Sequence, residues 1–191
     1  MIIDNNKKFV FIAIAKTACT SIHRRFGIHK DPVPSIYHMH LKDILDQNPT
    51  VKDYYKFAFV RNPYDRLLSA YYNFRFSPEH SSWAYPIYKY DTFRDFVLDI
   101  ENSGCLSFIH LASQFDFLRI GEDIGANFVG RYENLNEDFA KVENHLGIDH
   151  VKLPVVRTSR HPHYTLMYDE DMKKKVQEIY EKDFEVFGYE K

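Results

Sequence analysis

Two short segments combine a cationic side chain with hydroxyl groups, which is the chemistry that binds a phosphate or sulfate group. The first segment consists of Lys16, Thr17, Ala18, Cys19, Thr20 and Ser21. The second contains Arg61 and Ser69 within the stretch Arg-Asn-Pro-Tyr-Asp-Arg-Leu-Leu-Ser. A lysine ammonium supplies a point charge, whereas a guanidinium fork and a nearby hydroxyl suit a terminal phosphate monoester. Each segment therefore predicts a local anion site.

The first segment differs from the phosphate loop of nucleoside-triphosphate enzymes. It lacks the glycines of that pattern, and Lys16 opens the turn instead of closing it. Few acidic residues lie near either segment to hold a magnesium ion. We therefore expect an anion to bind here without a metal. Taken alone, the segment is equally compatible with an ordinary strand–helix junction that carries a solvated lysine.

Two histidines, His38 and His40, are the candidates for a general base. They stand in Tyr-His-Met-His-Leu, where an extended backbone would point both rings the same way. An imidazole near neutral pH can accept the proton of an alcohol. We take His40 as the first choice and keep His38 beside it. The pair could instead bind zinc, but a zinc site needs further ligands and no Cys, Asp or Glu cluster in the sequence supplies them.

The two anion segments each follow an apolar run that is typical of a buried strand, and a third such run occurs later in the chain. The runs are Phe9–Ala15, Lys56–Val60 and Asn127–Tyr132. A helix is expected from about Thr20, another from Pro63 with Asn62 as its cap, and further helices over 92–101, 107–118, 135–146 and from about 169. Strands that alternate with helices predict an α/β fold, a three-layer sandwich around a mainly parallel sheet. Ligands bind beyond the carboxyl ends of such strands, so Lys16 and Arg61 should be neighbours.

Length and composition set the class of protein. A chain of 191 residues with 45% hydrophobic and 27% charged residues predicts one globular domain, 1–191. A net charge of −2 argues against nucleic acid and anionic membranes as general partners. The sequence shows neither a secretory signal nor an apolar run of the roughly 20 residues that span a bilayer. A cytoplasmic protein without a membrane anchor is the expectation.

Both anion segments resemble those of the sulfotransferases that use 3′-phosphoadenosine-5′-phosphosulfate (PAPS). Lys16–Ser21 is similar to their 5′-phosphosulfate loop, and Phe59–Tyr72 is similar to their 3′-phosphate segment. Within that family, Asn127–Leu135 with Asp138-Phe139, and the closing stretch Tyr180–Tyr189, resemble the carbohydrate branch. The resemblance implies a P-loop-like sulfotransferase fold. It also implies transfer of a sulfuryl group from PAPS to a hydroxyl of a carbohydrate or a glycosylated small molecule.

The resemblance also implies a role for each matching residue. Lys16 would contact the bridging and sulfuryl oxygens, with Thr17–Ser21 around the 5′-phosphate. Arg61 and Ser69 would bind the 3′-phosphate. A weaker similarity implies that Thr158 and Ser159, which follow Arg157, close over the nucleotide. PAPS would be the co-substrate, PAP the product, and no metal would be needed.

Several other residues admit two interpretations. Cys19, at a helix start, could have a lowered pKa or could simply be a small residue that lets the backbone approach a phosphate. Arg66 is expected to brace its helix or pair with a carboxylate. His110 and Gln114, one helical turn apart, could line an acceptor pocket or could be packed and satisfied.

Two other functions remain open at this stage. The first is a P-loop kinase-like enzyme, which would bind ATP with magnesium. The second is a non-catalytic module that binds a nucleotide.

Overall fold

The computed structural model describes residues 1–28, 38–76, 85–154 and 161–191. The chain forms two compact units, Met1–Arg61 with Gln114–Arg157 and Asn62–Ser113 with Thr158–Lys191. Each unit is described by itself below. A single domain over 1–191 stays a prediction.

The strands alternate with helices along the chain. The strands are β1 (Ile2–Asp4), β2 (Phe9–Ile12), β3 (Tyr55–Val60), β4 (Arg119–Ile120), β5 (Asp123–Ile124) and β6 (Phe128–Arg131). The helices of the described ranges are α1 (Cys19–Arg25), α2 (Leu41–Gln47), α3 (Pro63–Phe76), α4 (Tyr85–Tyr88), α5 (Phe93–Leu98), α6 (Gln114–Leu118), α7 (Leu135–Leu146), α8 (Glu170–Ile179) and α9 (Glu181–Phe187).

The first unit contains a four-stranded sheet in the order β1-β2-β3-β6. Strands β2, β3 and β6 are parallel, and β1 runs antiparallel to β2 at the edge. The register places Phe11, Phe57 and Phe128 side by side across the three parallel strands. The α/β fold with a mainly parallel sheet is therefore confirmed. The hairpin of β4 and β5, and the short strand β1, were not predicted, because two or three residues carry no usable periodicity.

Aromatic rings fill the core of the first unit. Phe9, Phe11, Phe57 and Phe59 on the strands are fully buried. Phe139 of α7 packs against them, with its ring centroid 6.2 Å from that of Phe59. Burying a ring of this size stabilises a fold by roughly 1.5–3 kcal/mol, so these side chains hold α7 to the sheet and keep the strand ends in place.

The second unit is helical in the ranges described. Helices α3, α5, α8 and α9 surround a buried aromatic and aliphatic cluster that includes Tyr71, Phe74, Phe96 and Phe184. Helix α3 begins at Pro63, where the Asn62 side chain accepts hydrogen bonds from the next turn as predicted. The helix predicted over 107–118 is wrong in its length. A 3₁₀ turn occupies Cys105–Ser107, and α6 begins only at Gln114.

Within the described ranges, we find no helix with the length and apolar character needed to cross a bilayer.

Gly130 of β6 offers a test of how tightly the sheet and its aromatic core are packed. It pairs with Phe59 across the ladder, and a methyl group at Gly130 would collide with the Phe59 ring. We expect Gly130→Ala to lower the free energy of unfolding by about 1–3 kcal/mol, as overpacking does. Urea denaturation measures it. In a Phe59→Leu background the added methyl group has room, so equal costs in both backgrounds would contradict the packing described.

Candidate functional site

The turn that carries Lys16 has an unusual backbone. It follows β2, and α1 begins three residues after Lys16, at Cys19. Lys16 and Ala18 both have left-handed conformations, with φ of 70° and 67°. Such conformations cost a non-glycine residue about 1–3 kcal/mol each. Turns with left-handed residues can direct successive N–H groups to one side, which is how backbone nests bind anions.

Two side chains hold this turn in place. The hydroxyl of Thr17 donates a hydrogen bond to the Ile14 carbonyl at 2.8 Å, and the Cys19 thiol donates to the same oxygen at 2.6 Å. Both side chains are buried. Burial raises the pKa of the Cys19 thiol to about 11, so it is protonated at neutral pH. The interpretation of Cys19 as a group of lowered pKa is therefore wrong. Its thiol holds the turn through the Ile14 carbonyl, and its place in the loop around the 5′-phosphate stays a prediction.

Helix α1 starts without a side-chain cap. Ala18 occupies the capping position and cannot supply a side-chain oxygen, and the first turn contains no acidic residue. Of the three hydroxyl residues predicted to surround the anion, Thr17 and Ser21 are buried and Thr20 is partly exposed. The beginning of α1 thus carries backbone N–H groups and their partial positive charge beside Lys16.

Arg61 lies directly beyond the end of β3 and contacts the Lys16 turn. Its Nη1 donates a hydrogen bond to the Lys16 carbonyl at 3.1 Å. The guanidinium carbon lies 4.1 Å from the ring centroid of Tyr132, in the 3₁₀ turn that follows β6. Arg61 is only 6% exposed. The structure therefore brings Lys16 and Arg61 together, as the parallel sheet predicted, and adds Tyr132, which sequence reasoning missed.

Gln114 grips the main chain of Arg61. Its Oε1 accepts from the Arg61 N–H and its Nε2 donates to the Arg61 carbonyl, both at 2.9 Å. Gln114 is fully buried. Without this amide, two buried backbone groups would each lose a partner, at about 1–3 kcal/mol per group. The only signal in the sequence was one uncharged polar residue among Phe and Leu.

His110 and Gln114 do not share a helix, because α6 begins at Gln114. The prediction that they lie one helical turn apart is therefore wrong. The His110 ring packs edge-on against Phe74 within the second unit.

The two candidate bases lie in different surroundings within the first unit. Nδ1 of His38 lies 2.7 Å from the carbonyl of Ala13, which follows β2. Because a carbonyl only accepts, that nitrogen carries the proton. His40 precedes α2, stacks on Phe117 at 4.7 Å between ring centroids, and has Nδ1 3.6 Å from the Asp43 carboxylate. The two rings therefore have separate partners.

The remaining predicted residues lie elsewhere in the chain. Ser69 belongs to α3 in the second unit and is 1% exposed. Arg66 of the same helix faces the buried Asp183 at 3.9 Å and donates to the carbonyls of His110 and Ala112. It braces the unit, as expected. Thr158 and Ser159 lie outside the described residues.

Within the described ranges, no group of three or more His, Cys, Asp or Glu side chains is arranged to hold a metal ion.

The chain is similar in sequence to several known proteins. Carbohydrate sulfotransferase 10 of Homo sapiens is 27% identical over 175 residues, which cover 74% of this chain and 48% of that protein. The protein of the same name from Pongo abelii gives the same values. Carbohydrate sulfotransferase 11 of Danio rerio is 32% identical over 89 residues, covering 38% and 25%. The chain spans about half the length of the carbohydrate sulfotransferase 10 proteins.

No solved structure gives a significant match to the chain. The family comparison covers nearly all of it, since a family profile described as "Sulfotransferase family" matches residues 1–190. That range includes both predicted anion segments and the whole parallel sheet. The chain therefore belongs to the sulfotransferase family.

Proposed function

We propose that this protein transfers a sulfuryl group from PAPS to a hydroxyl group of an acceptor that contains carbohydrate. Family membership supports sulfotransfer, and the three relatives described above are named carbohydrate sulfotransferases. The observation that carries the proposal is the hydrogen bond between the Arg61 guanidinium and the Lys16 carbonyl. It holds two cationic residues within one unit of a chain whose net charge is −2.

The two cations suit the two anionic ends of this donor. The turn at Lys16 would hold the 5′-phosphosulfate with its ammonium group and with the N–H groups at the start of α1. The guanidinium of Arg61, kept in place by Tyr132, would bind the 3′-phosphate. A guanidinium has five N–H donors in one plane, so it can contact a peptide oxygen and a phosphate together. The assignment of Ser69 to the 3′-phosphate, and of Thr158 and Ser159 to the nucleotide, stays a prediction.

The chemical role of Lys16 follows from where charge develops. When the sulfuryl group leaves its donor, negative charge grows on the phosphate oxygen that held it. An ammonium group aimed at that oxygen stabilises the transition state more than the ground state. The hydrogen bonds of Thr17 and Cys19 to the Ile14 carbonyl hold the left-handed turn in place. The Cα of Lys16 therefore has a fixed position from which its side chain extends.

His40 is proposed as the base that accepts the acceptor's proton. Stacking on Phe117 limits the motion of the ring, and the Asp43 carboxylate lies 3.6 Å from Nδ1. His38 has a different arrangement, because its Nδ1 donates to the Ala13 carbonyl. That bond ties the segment in front of α2 to the end of β2, close in sequence to Lys16.

A cytoplasmic location and a glycosylated small molecule as acceptor are proposals from the sequence alone.

The first test combines the parent protein with Lys16→Ala. We expect the parent to transfer sulfate from PAPS without added magnesium, and Lys16→Ala to lower kcat by about 10²–10³, as loss of one oxyanion donor does. Its Kd for PAP should change much less. Radiolabelled PAPS with a panel of sugars, and calorimetry with PAP, provide the two measurements. The exposed Lys52→Ala is the control. A parent that binds ATP with magnesium and does not bind PAP would refute the proposal.

Arg61 should act on binding more than on rate, because the 3′-phosphate does not react. We expect Arg61→Met to raise the Kd for PAP by about tenfold or more, the loss typical of a charge-assisted contact. The Kd for adenosine 5′-monophosphate, which lacks the 3′-phosphate, should be unchanged. Calorimetry with both nucleotides makes the comparison, and Arg119→Met, at an exposed arginine of the same unit, serves as control. Equal losses for both nucleotides would contradict the assignment.

The histidines separate in their pH dependence. For the parent we expect kcat to fall on the acid side, where a protonated imidazole cannot accept a proton. His40→Ala should lower kcat by about 10²–10⁴ and remove that acid limb. His38→Ala should lower kcat less and keep the limb, since His38 only holds the segment. A pH series of kcat for both variants decides between them, and the reverse pattern would make His38 the base.

A further inference from the structure

We propose that Gln114 is the positioning residue that sets the selectivity of this protein for nucleotides carrying a 3′-phosphate. It would act through Arg61, whose main chain it holds from both sides. The inference rests on the proposed function, because it takes Arg61 as the group that binds the 3′-phosphate.

Arg61 lies just past the end of the sheet ladder. The last pair between β2 and β3 is Ile12 with Ala58, and the last between β3 and β6 is Val60 with Arg131. The next main-chain groups, the N–H and C=O of Arg61, bond to the Gln114 side chain instead. The glutamine amide thus takes the place of a peptide group of a neighbouring strand. It extends the paired part of β3 by one residue before the chain turns toward Pro63.

These two hydrogen bonds fix the position of the Arg61 Cα, from which the guanidinium side chain extends. A side chain can be aimed only as well as its Cα is held, and Arg61 is followed directly by the Asn-Pro that starts α3. With the main chain held by Gln114, the Lys16 carbonyl and the face of Tyr132 contact the guanidinium group and orient its plane. Orientation is therefore established on folding, and binding an anion need not order the side chain.

The chemistry of the amide explains why a glutamine stands here. One end must accept a hydrogen bond and the other must donate one, at a fully buried position. A carboxylate would meet the Arg61 carbonyl with a second acceptor, and an aliphatic side chain would leave both main-chain groups without these bonds. A purely space-filling role would be met as well by methionine, which has a similar volume.

Gln114→Met tests the inference through a ratio of affinities. We expect the Kd for PAP to rise about tenfold while that for adenosine 5′-monophosphate stays unchanged, because a misplaced guanidinium loses the 3′-phosphate contact alone. Calorimetry with the full chain measures both. Gln177→Met is the matched control. It removes from α8 a glutamine amide that donates to the hydroxyl of Tyr64 in α3, and it should leave the ratio of the two Kd values as in the parent.

A double-variant cycle distinguishes positioning from general stability. In the Arg61→Met background, Gln114→Met should change the Kd for PAP no further, because the group it positions is gone. Additive losses, or equal losses for both nucleotides, would overturn the inference. Gln114→Asn provides a milder second variant, which keeps the amide but cannot reach both main-chain groups of Arg61. It too should weaken the binding of PAP relative to that of adenosine 5′-monophosphate.

The two hypotheses fail in different ways. If the parent does not bind PAP, the proposed function fails. If the parent binds PAP and Arg61→Met loses the selectivity, but both Gln114 variants keep it, only the role of Gln114 is overturned.

Discussion

The hydrogen bond from the Arg61 guanidinium to the Lys16 carbonyl is the contact on which the candidate site depends. It joins the turn after β2 to the residue after β3. Adjacent parallel strands bring their carboxyl ends to one edge of the sheet, so two segments far apart in sequence meet there. The bond is possible only because the register of β2 and β3 places those ends at the same level.

The strained turn at Lys16 is stabilised by the buried contacts around it. Two left-handed residues cost several kcal/mol together, by the usual order of magnitude. The side chains of Thr17 and Cys19 offset part of this by satisfying the Ile14 carbonyl in a buried environment. The aromatic core beneath the sheet keeps that environment rigid. The position of Lys16 therefore depends on the same buried contacts that offset the backbone strain of its turn.

Two buried arginines of the same motif have different roles because their neighbours differ. Arg66 faces the carboxylate of Asp183 and two carbonyl groups, so its charge stabilises the helical unit. Arg61 contacts a peptide oxygen and the face of Tyr132, while Gln114 holds its main chain. A carboxylate partly neutralises the guanidinium that it faces, whereas a hydrogen bond to a peptide oxygen and stacking on an aromatic ring orient a guanidinium plane. Their separate roles follow from these contacts.

Several features depend only on residues that are close together along the chain, and these could be predicted from the sequence. Hydrophobic runs and turn residues predicted β2, β3, β6 and α7, and with them the proximity of Lys16 and Arg61, because strand order constrains where strand ends lie. Other features became visible only in the folded chain. Gln114 bonds to the main chain of Arg61, which is far away in sequence. His38 and His40 likewise have different surroundings because each contacts a different distant segment. No local pattern encodes such contacts, since packing creates them only when the chain has folded.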